Sequence, residues 1–219
     1  EVARLWARAA EAYTRAGEYD EAVNVYKTAV KYNPDHLETR LMMVDGLMVN
    51  GRLQAAENEL DRILERDPDY IPALLRLGEV RSEYYGWWWQ TNAITAPWER
   101  VLELEPDNAQ ARRALVDFHL NRGDESMQWG NYIGALDAYE KAQEFDPDNG
   151  LVWAVMAGCF LWMGEDEEAE AYLEGALERG AENLDVYNHI IHIWLSLDEP
   201  ERAWEVMHKA ETKIADIPF

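Results

Sequence analysis

An apolar helical triad followed by a helix stop recurs along this chain, and this repeat constrains the fold more than any other feature. The clearest copy is GNYIGALDAYEKAQEFDPDN, in which Ala135, Tyr139 and Ala142 share one face at i, i+4 and i+7. Gly130 favours a tight turn before this segment, and Pro147 ends the helix because proline cannot continue it. One short amphipathic helix cannot bury its own apolar face, so neighbours of the same kind are required.

Those neighbours occur at regular intervals. The positions equivalent to Pro147 are Pro34, Pro68 and Pro106 before it and Ala181 and Ala215 after it, at spacings of 34, 38, 41, 34 and 34 residues. The triads before the six stops are Ala22, Tyr26, Ala29; Ala56, Leu60, Ile63; Ile94, Trp98, Val101; Ala135, Tyr139, Ala142; Ala169, Leu173, Ala176; and Ala203, Met207, Ala210. Another apolar stripe precedes each triad, so each copy is predicted to contain two helices.

This pattern resembles the tetratricopeptide repeat family, a 34-residue helix-turn-helix with an aromatic, a small pair and another aromatic, then Ala, an aromatic, Ala and Pro. The resemblance covers essentially the whole chain. It implies an all-α fold, a right-handed α-solenoid superhelix of six helix-turn-helix repeats. The expected single array spans 1–219, with repeats at 3–36, 37–70, 71–108, 109–149, 150–183 and 184–217.

Two repeats depart from the regular pattern. The third has four extra residues around YYGWWWQ, and Pro97 lies inside its second helix. Because proline removes a helical hydrogen bond, we expect that helix to be kinked or shortened. The fourth has seven extra residues before Gly123, close to two helical turns, so its first helix is expected to be longer.

Composition limits the classes of partner. A net charge of −23 opposes binding to nucleic acid and to anionic membranes. The apolar run LVWAVMAGCFLWM is too short to span a membrane, and the single cysteine, Cys159, forms no internal disulfide. We expect a soluble protein, with the cytoplasm slightly favoured as its compartment. The chain begins at Glu1 without Met, so we expect a fragment of a longer protein.

The family resemblance implies that the first helices line a concave groove. Acidic residues occupy the same groove position in the first four repeats, namely Glu11, Asp45, Glu79 and Asp124. In the last two repeats this position is held by Gly158 and His192. One turn earlier lie Leu41, Leu75 and Leu120. The two rows suit a basic or amphipathic peptide, and the alternative is that the acids are solvated and the leucines packed.

The groove face of the fifth repeat is apolar. Gly158 leaves a space that Leu161 and Trp162 would border, and this space predicts a site for an apolar side chain of a ligand. The alternative is that Gly158 allows close packing of helices.

A second candidate surface is aromatic. Its residues are Tyr84, Tyr85, Trp87, Trp88 and Trp89 in one turn and Trp129 in the next. Because turns inside successive repeats lie along one edge, these side chains predict a lateral interface. The alternative is that the long turn folds back and buries its tryptophans.

No enzyme, cofactor or metal site is predicted. His189 and His192 lie three residues apart and His208 lies on the paired helix, but no acidic or Cys ligand completes a metal site. Phosphate-binding glycine loops and nucleophile motifs are missing from the sequence. The chaperone-binding branch of the family grips a C-terminal carboxylate with Lys and Asn, whereas this chain has Ala7 and Glu11 at those groove positions.

The sequence therefore predicts a protein–protein interaction scaffold that holds a partner's peptide or helix in its groove. One alternative is a structural scaffold that self-assembles into oligomers, because the end repeats lack a clear polar capping helix. A less favoured alternative is a regulatory segment of a larger enzyme.

Overall fold

The structure is a computed structural model that describes residues 2–86 and 91–214. These residues form twelve α-helices and no strand. The helices are α1 (Val2–Ala16), α2 (Tyr19–Tyr32), α3 (Leu37–Val49), α4 (Leu53–Leu64), α5 (Ile71–Tyr85), α6 (Thr91–Leu104), α7 (Ala109–Gln128), α8 (Tyr132–Phe145), α9 (Gly150–Met163), α10 (Asp166–Arg179), α11 (Leu184–Ser196) and α12 (Pro200–Ile214). The all-α fold of six helical hairpins predicted from the repeat is confirmed.

The helices form two compact units, Glu1–Ala114 and Leu115–Phe219, and the division falls within α7. Unit 1 contains α1 to α6 and the start of α7, and unit 2 contains the rest. Across the residues that the structure describes, no helix has both the length and the apolar character required to cross a lipid bilayer.

A residue with a left-handed backbone lies in the turn inside each hairpin. Gly130, with φ of +69°, connects α7 to α8 as the sequence predicts, because glycine adopts this conformation without steric cost. The same role is taken by Gly17, Gly51, Gly86 and Gly164, and by Asp198 in the last hairpin. The chain therefore reverses direction at the same point of each repeat.

The triads of the second helices form the centre of each hairpin core. All triad residues are buried except Met207, which is half-buried. In the third and fourth repeats, where the central residues are Trp98 and Tyr139, the first helix supplies a glycine beneath the ring, whereas the first helix of the first repeat, opposite Tyr26, contains no glycine. A Cβ atom on Gly78 would lie 2.2 Å from the ring of Trp98, and one on Gly123 would lie 2.1 Å from the ring of Tyr139. Ring and glycine therefore complement each other in size.

Pro97 neither interrupts nor shortens α6, so the predicted shortening is wrong. The carbonyl of Ala93, four residues earlier, would normally accept from the backbone N–H that proline lacks. Instead, Arg81 Nη1 donates to the Ala93 carbonyl at 2.9 Å. Arg81 Nε also donates to Glu57 Oε1 at 2.8 Å, and the Tyr85 hydroxyl donates to Glu57 Oε2 at 2.9 Å. This buried polar network satisfies the backbone group that Pro97 frees.

The predicted extension of the fourth first helix is confirmed, because α7 is 20 residues long. Asp124 and Met127 lie in the C-terminal part of α7, which belongs to unit 2. The extension therefore positions two residues of the candidate site described below.

Candidate functional site

In unit 1, the acidic groove residues are partly neutralised by the chain itself. Glu11, Asp45 and Glu79 are all half-buried on the first helices α1, α3 and α5. Arg76 Nε donates to Asp45 Oδ1 at 2.7 Å, and Arg76 Nη1 donates to Glu79 Oε2 at 2.7 Å. Gln110 Nε2 donates to the other Glu79 oxygen at 3.3 Å. Two of the three carboxylates therefore already have a cationic partner.

The sequence reasoning missed Arg76 as a member of this site. Arg76 and Glu79 are spaced i, i+3 on α5, which is a recognisable signal for an ion pair on one helix. Its pairing with Asp45 joins helices α3 and α5, and nothing local in the sequence indicates that contact.

The leucine row of unit 1 lies largely within the packing of that unit. Leu41 is half-buried against the core, and Leu75 is only 8% exposed. The backbone carbonyl of Leu75 also accepts from Trp98 Nε1 at 3.1 Å. Most of the Leu75 side chain is therefore covered by the protein itself.

A cleft of about 710 Å³ lies between α1 and α3. It includes Glu11 and Ala7 from the predicted groove, together with the basic residues Arg4 and Arg8 and the acidic Glu38. Charges of both signs thus line this end of unit 1, and the cleft has no strong preference for one sign of ligand charge.

In unit 2, the three predicted groove positions meet in one cavity of about 400 Å³. Asp124 on α7, Gly158 on α9 and His192 on α11 all line it. The remaining lining residues are Met127, Tyr139, Val155, Trp162, His189, Ile193 and Ser196. Among these described lining residues there is no Lys or Arg, so the carboxylate of Asp124 is not neutralised as Asp45 and Glu79 are.

Tyr139 fixes the position of the Asp124 carboxylate. The Tyr139 hydroxyl donates to Asp124 Oδ1 at 2.6 Å, while its ring is 1% exposed beneath the groove. Burial raises the pKa of the Tyr139 phenol far above its usual value, and the hydrogen bond to Asp124 adds to this rise. The phenol therefore stays protonated as a donor, and Asp124 itself remains exposed at the cavity.

The two histidines of α11 face the same cavity. Burial lowers the pKa of His189, and His192 lowers it further, while the nearby charge of Asp124 acts in the opposite direction. His189 is therefore uncharged at neutral pH. His208 lies on α12 and contacts Glu211, with Nδ1 and Oε2 3.3 Å apart. In the described part of the chain, no group of three or more His, Cys, Asp or Glu residues is placed to hold a metal ion.

Ser196 does not form a nucleophile with these histidines. Its hydroxyl donates to the backbone carbonyl of Ile193 at 2.7 Å, which is a common contact at a helix end. The cavity therefore offers a carboxylate, imidazoles and an aromatic ring for binding, without an activated hydroxyl.

Gly158 contacts the next repeat closely. A Cβ atom on Gly158 would lie 3.2 Å from Ile193 Cδ1 and 3.6 Å from Ile193 Cγ1, and Ile193 is 7% exposed. Part of the space expected for an apolar ligand group is thus taken by Ile193, which supports close packing of α9 and α11. Leu161 is half-buried against the core, and Trp162 remains 42% exposed at the cavity. Leu120 is also half-buried against the core of unit 2.

The predicted lateral aromatic surface is described only in parts. Trp87, Trp88 and Trp89 lie outside the described residues. Tyr85 belongs to the network around Glu57. Tyr84 is 45% exposed and packs edge-on against Tyr85, with the two ring centroids 4.7 Å apart.

In unit 2, the turn that joins α7 and α8 does present apolar surface. Trp129 is 82% exposed and Ile133 is 76% exposed. The neighbouring Tyr132 stacks on Trp162, with ring centroids 6.2 Å apart and planes inclined by 9°. Tyr132, at the start of α8, therefore contacts a residue that lines the cavity.

Comparisons with known proteins agree with this architecture. The sequence model of the tetratricopeptide repeat matches residues 3–78 and 127–189. Human protein O-mannosyl-transferase TMTC1 is 24% identical over 166 residues, which are 76% of this chain and 18% of that protein. Human DnaJ homolog subfamily C member 7 is 23% identical over 182 residues, 80% of this chain and 35% of that protein. The chain thus spans only 18% and 35% of the length of these two relatives.

Solved structures show the same fold. A crystal structure of MamA has a TM-score of 0.59 at 20% identity and covers 84% of this chain and 95% of its own. A tetratricopeptide repeat protein from Parabacteroides merdae has a TM-score of 0.52 at 19% identity, covering 96% of this chain and 78% of its own.

Proposed function

Because the chain belongs to the tetratricopeptide repeat family, whose members generally mediate protein–protein interactions, we propose that it is a scaffold that binds a segment of another protein. The bound segment is a basic or amphipathic peptide or helix, and it lies against the first helices of the repeats. We propose no catalytic role for these residues, since the cavity of unit 2 lacks an activated nucleophile among the described side chains.

The observation that carries this proposal is the composition of the cavity in unit 2. An exposed carboxylate, Asp124, lies in a concave site beside Trp162 and Met127, without a lining Lys or Arg among the described residues. Concave sites with apolar walls and few fixed polar groups are typical of ligand binding. The negative carboxylate favours positive charge in the ligand, and the walls favour apolar side chains next to it.

A peptide array tests this proposal. The array carries amphipathic peptides of about 15 residues in three forms, with Lys or Arg, with Glu at the same positions, and with a scrambled order. We expect the basic amphipathic form to bind best, with an affinity that falls as salt rises, because exposed charges are screened beyond about 8 Å at physiological ionic strength. A preference for the acidic form would contradict the proposal, and equal binding of the scrambled form would remove its amphipathic part.

A self-assembling scaffold is the second candidate function. It is supported by Trp129 in the turn before α8 and Ile133 in the first turn of α8, two apolar side chains that are more than three-quarters exposed. Apolar groups of this size exposed together are often part of interfaces. A concentration series followed by light scattering separates the candidates, since self-assembly requires a mass that rises with concentration in the absence of any peptide.

A further inference from the structure

We propose that the cavity of unit 2 accepts one cationic side chain of the bound segment, an arginine in preference to a lysine. The guanidinium would pair with Asp124, and the aliphatic stem would lie against Trp162 and Met127. This inference rests on the proposed function and assigns the charge preference to one cavity instead of to the whole row of acidic residues.

The distribution of ion pairs favours this cavity over Asp45 and Glu79 of unit 1. Asp45 and Glu79 already bind Arg76, so a ligand cation there would have to compete with a side chain held at 2.7 Å from each. At Asp124, the donor within the chain is the neutral hydroxyl of Tyr139, which orients the carboxylate and leaves its charge in place. A cation at Asp124 therefore gains an ion pair without breaking one.

The aromatic wall of the cavity favours arginine. Two other tryptophans of unit 2 already form cation–π contacts with an arginine of the same chain. The guanidinium carbon of Arg179 lies 3.9 Å from the ring centroid of Trp153. The guanidinium carbon of Arg202 lies 4.6 Å from the ring centroid of Trp194. Trp162 instead stacks on Tyr132, is 42% exposed to solvent and lines the cavity. A guanidinium binds both a carboxylate and an indole well, because it is planar and weakly hydrated.

The neighbouring groups are compatible with a bound cation at neutral pH. His189 has a lowered pKa and is neutral there, so it adds no positive charge to the cavity. Val155 and Ile193 supply apolar walls, and the Ser196 hydroxyl is engaged with a backbone carbonyl.

The first experiment uses N-acetyl-L-arginine methylamide as the probe at pH 7.5, followed by two-dimensional ¹H–¹⁵N NMR. The indole signal of Trp162 is identified by its loss in the variant Trp162→Phe. We expect a saturable shift of this signal, and a roughly tenfold weaker effect of N-acetyl-L-citrulline methylamide, which has the same shape without the charge. Equal binding of the two compounds to the wild-type protein would overturn the proposal without any variant being needed.

The second experiment compares Asp124→Asn with a matched control. Asparagine keeps an oxygen for the Tyr139 hydroxyl, so the fold should persist while the negative charge is lost. We expect roughly tenfold weaker binding of the arginine probe. The same change at Asp45, the equivalent groove position already bound by Arg76, should alter the affinity for the arginine probe by less than about twofold. Unchanged binding by Asp124→Asn, or equal losses in both variants, would contradict the proposal.

The scaffold function and the arginine site can be refuted independently of each other. If the array selects basic peptides but the arginine probe is not distinguished from citrulline, the scaffold function stands and the cavity assignment is wrong. If the probe binds at Asp124 but the array shows no preference for basic sequences, the cavity is correct and the scaffold proposal is wrong.

Discussion

Replacing Gly123 with alanine tests whether the size match between first and second helices determines stability. A Cβ atom at this position would lie 2.1 Å from Tyr139 Cε1 and 2.5 Å from Cδ1, which is well inside van der Waals contact. The ring cannot move aside easily, because it is 1% exposed and its hydroxyl is bound to Asp124 at 2.6 Å. The added methyl group must therefore displace either the ring or the helix α7.

The expected magnitude follows from two opposing effects. Overpacking of a well-packed core costs about 1 to 3 kcal/mol. Replacing glycine by alanine inside a helix recovers up to about 1 kcal/mol of that cost. Because the overlap at 2.1 Å is severe, we take the upper part of the overpacking range, about 2 to 3 kcal/mol, less about 1 kcal/mol for helix propensity. The net loss of roughly 1 to 2 kcal/mol should lower the melting temperature by about 2 to 8 °C in a chain of this length. Thermal unfolding followed by far-ultraviolet circular dichroism measures this shift directly.

Two control variants isolate the cause. Gly158→Ala adds the same methyl group where the nearest atoms are Ile193 Cδ1 at 3.2 Å and Cγ1 at 3.6 Å, much farther than the ring atoms at Gly123, so we expect a clearly smaller change in stability. Gly123→Ala combined with Tyr139→Leu reproduces the residues that the next repeat has at these positions, Ala157 and Leu173, and should relieve the overlap. A Gly123→Ala protein that melts at or above the wild-type temperature would refute the reasoning.

Two further predictions concern buried polar groups. His119 is 4% exposed, its Nδ1 has no hydrogen-bond partner among the described residues, and burial with help from Arg122 and Lys141 lowers its pKa from 6.5 to about 4. The unfolded chain protonates His119 more readily than the folded protein does. The contribution of neutral His119 to the free energy of unfolding should therefore be fully present above about pH 6.5, and up to about 3 kcal/mol of it should be lost as the pH drops toward 4. His119→Leu should flatten that part of a pH series of urea melts, and an unchanged slope would contradict the assignment. Arg81→Met should cost about 3 to 5 kcal/mol, because it leaves the buried Glu57 carboxylate without its cationic partner and the Ala93 carbonyl without its donor. The exposed pair of Arg100 and Asp69 provides the control, since Arg100→Met should cost no more than about 1 kcal/mol, and equal costs would show that the network around Pro97 is unimportant.

The sequence by itself determined the fold class and the helix pairs. Triads such as Ala135, Tyr139 and Ala142, together with stops such as Pro147, are contained within one helix and its turn. Helical periodicity and proline chemistry act over a few residues, so they can be interpreted without knowing any contact between helices. The longer α7 followed from the same reasoning, because its extra residues add nearly whole turns.

The tertiary structure decided which groove residues keep their charge and which spaces remain open. Arg76 neutralises Asp45 from 31 residues away, Ile193 takes part of the space beside Gly158, and Arg81 supplies the hydrogen bond that Pro97 removes from Ala93. Each of these contacts joins residues on different helices, at positions that no local spacing rule connects. Their existence depends on helix packing and on side-chain directions, and only the folded chain brings those atoms within reach of each other.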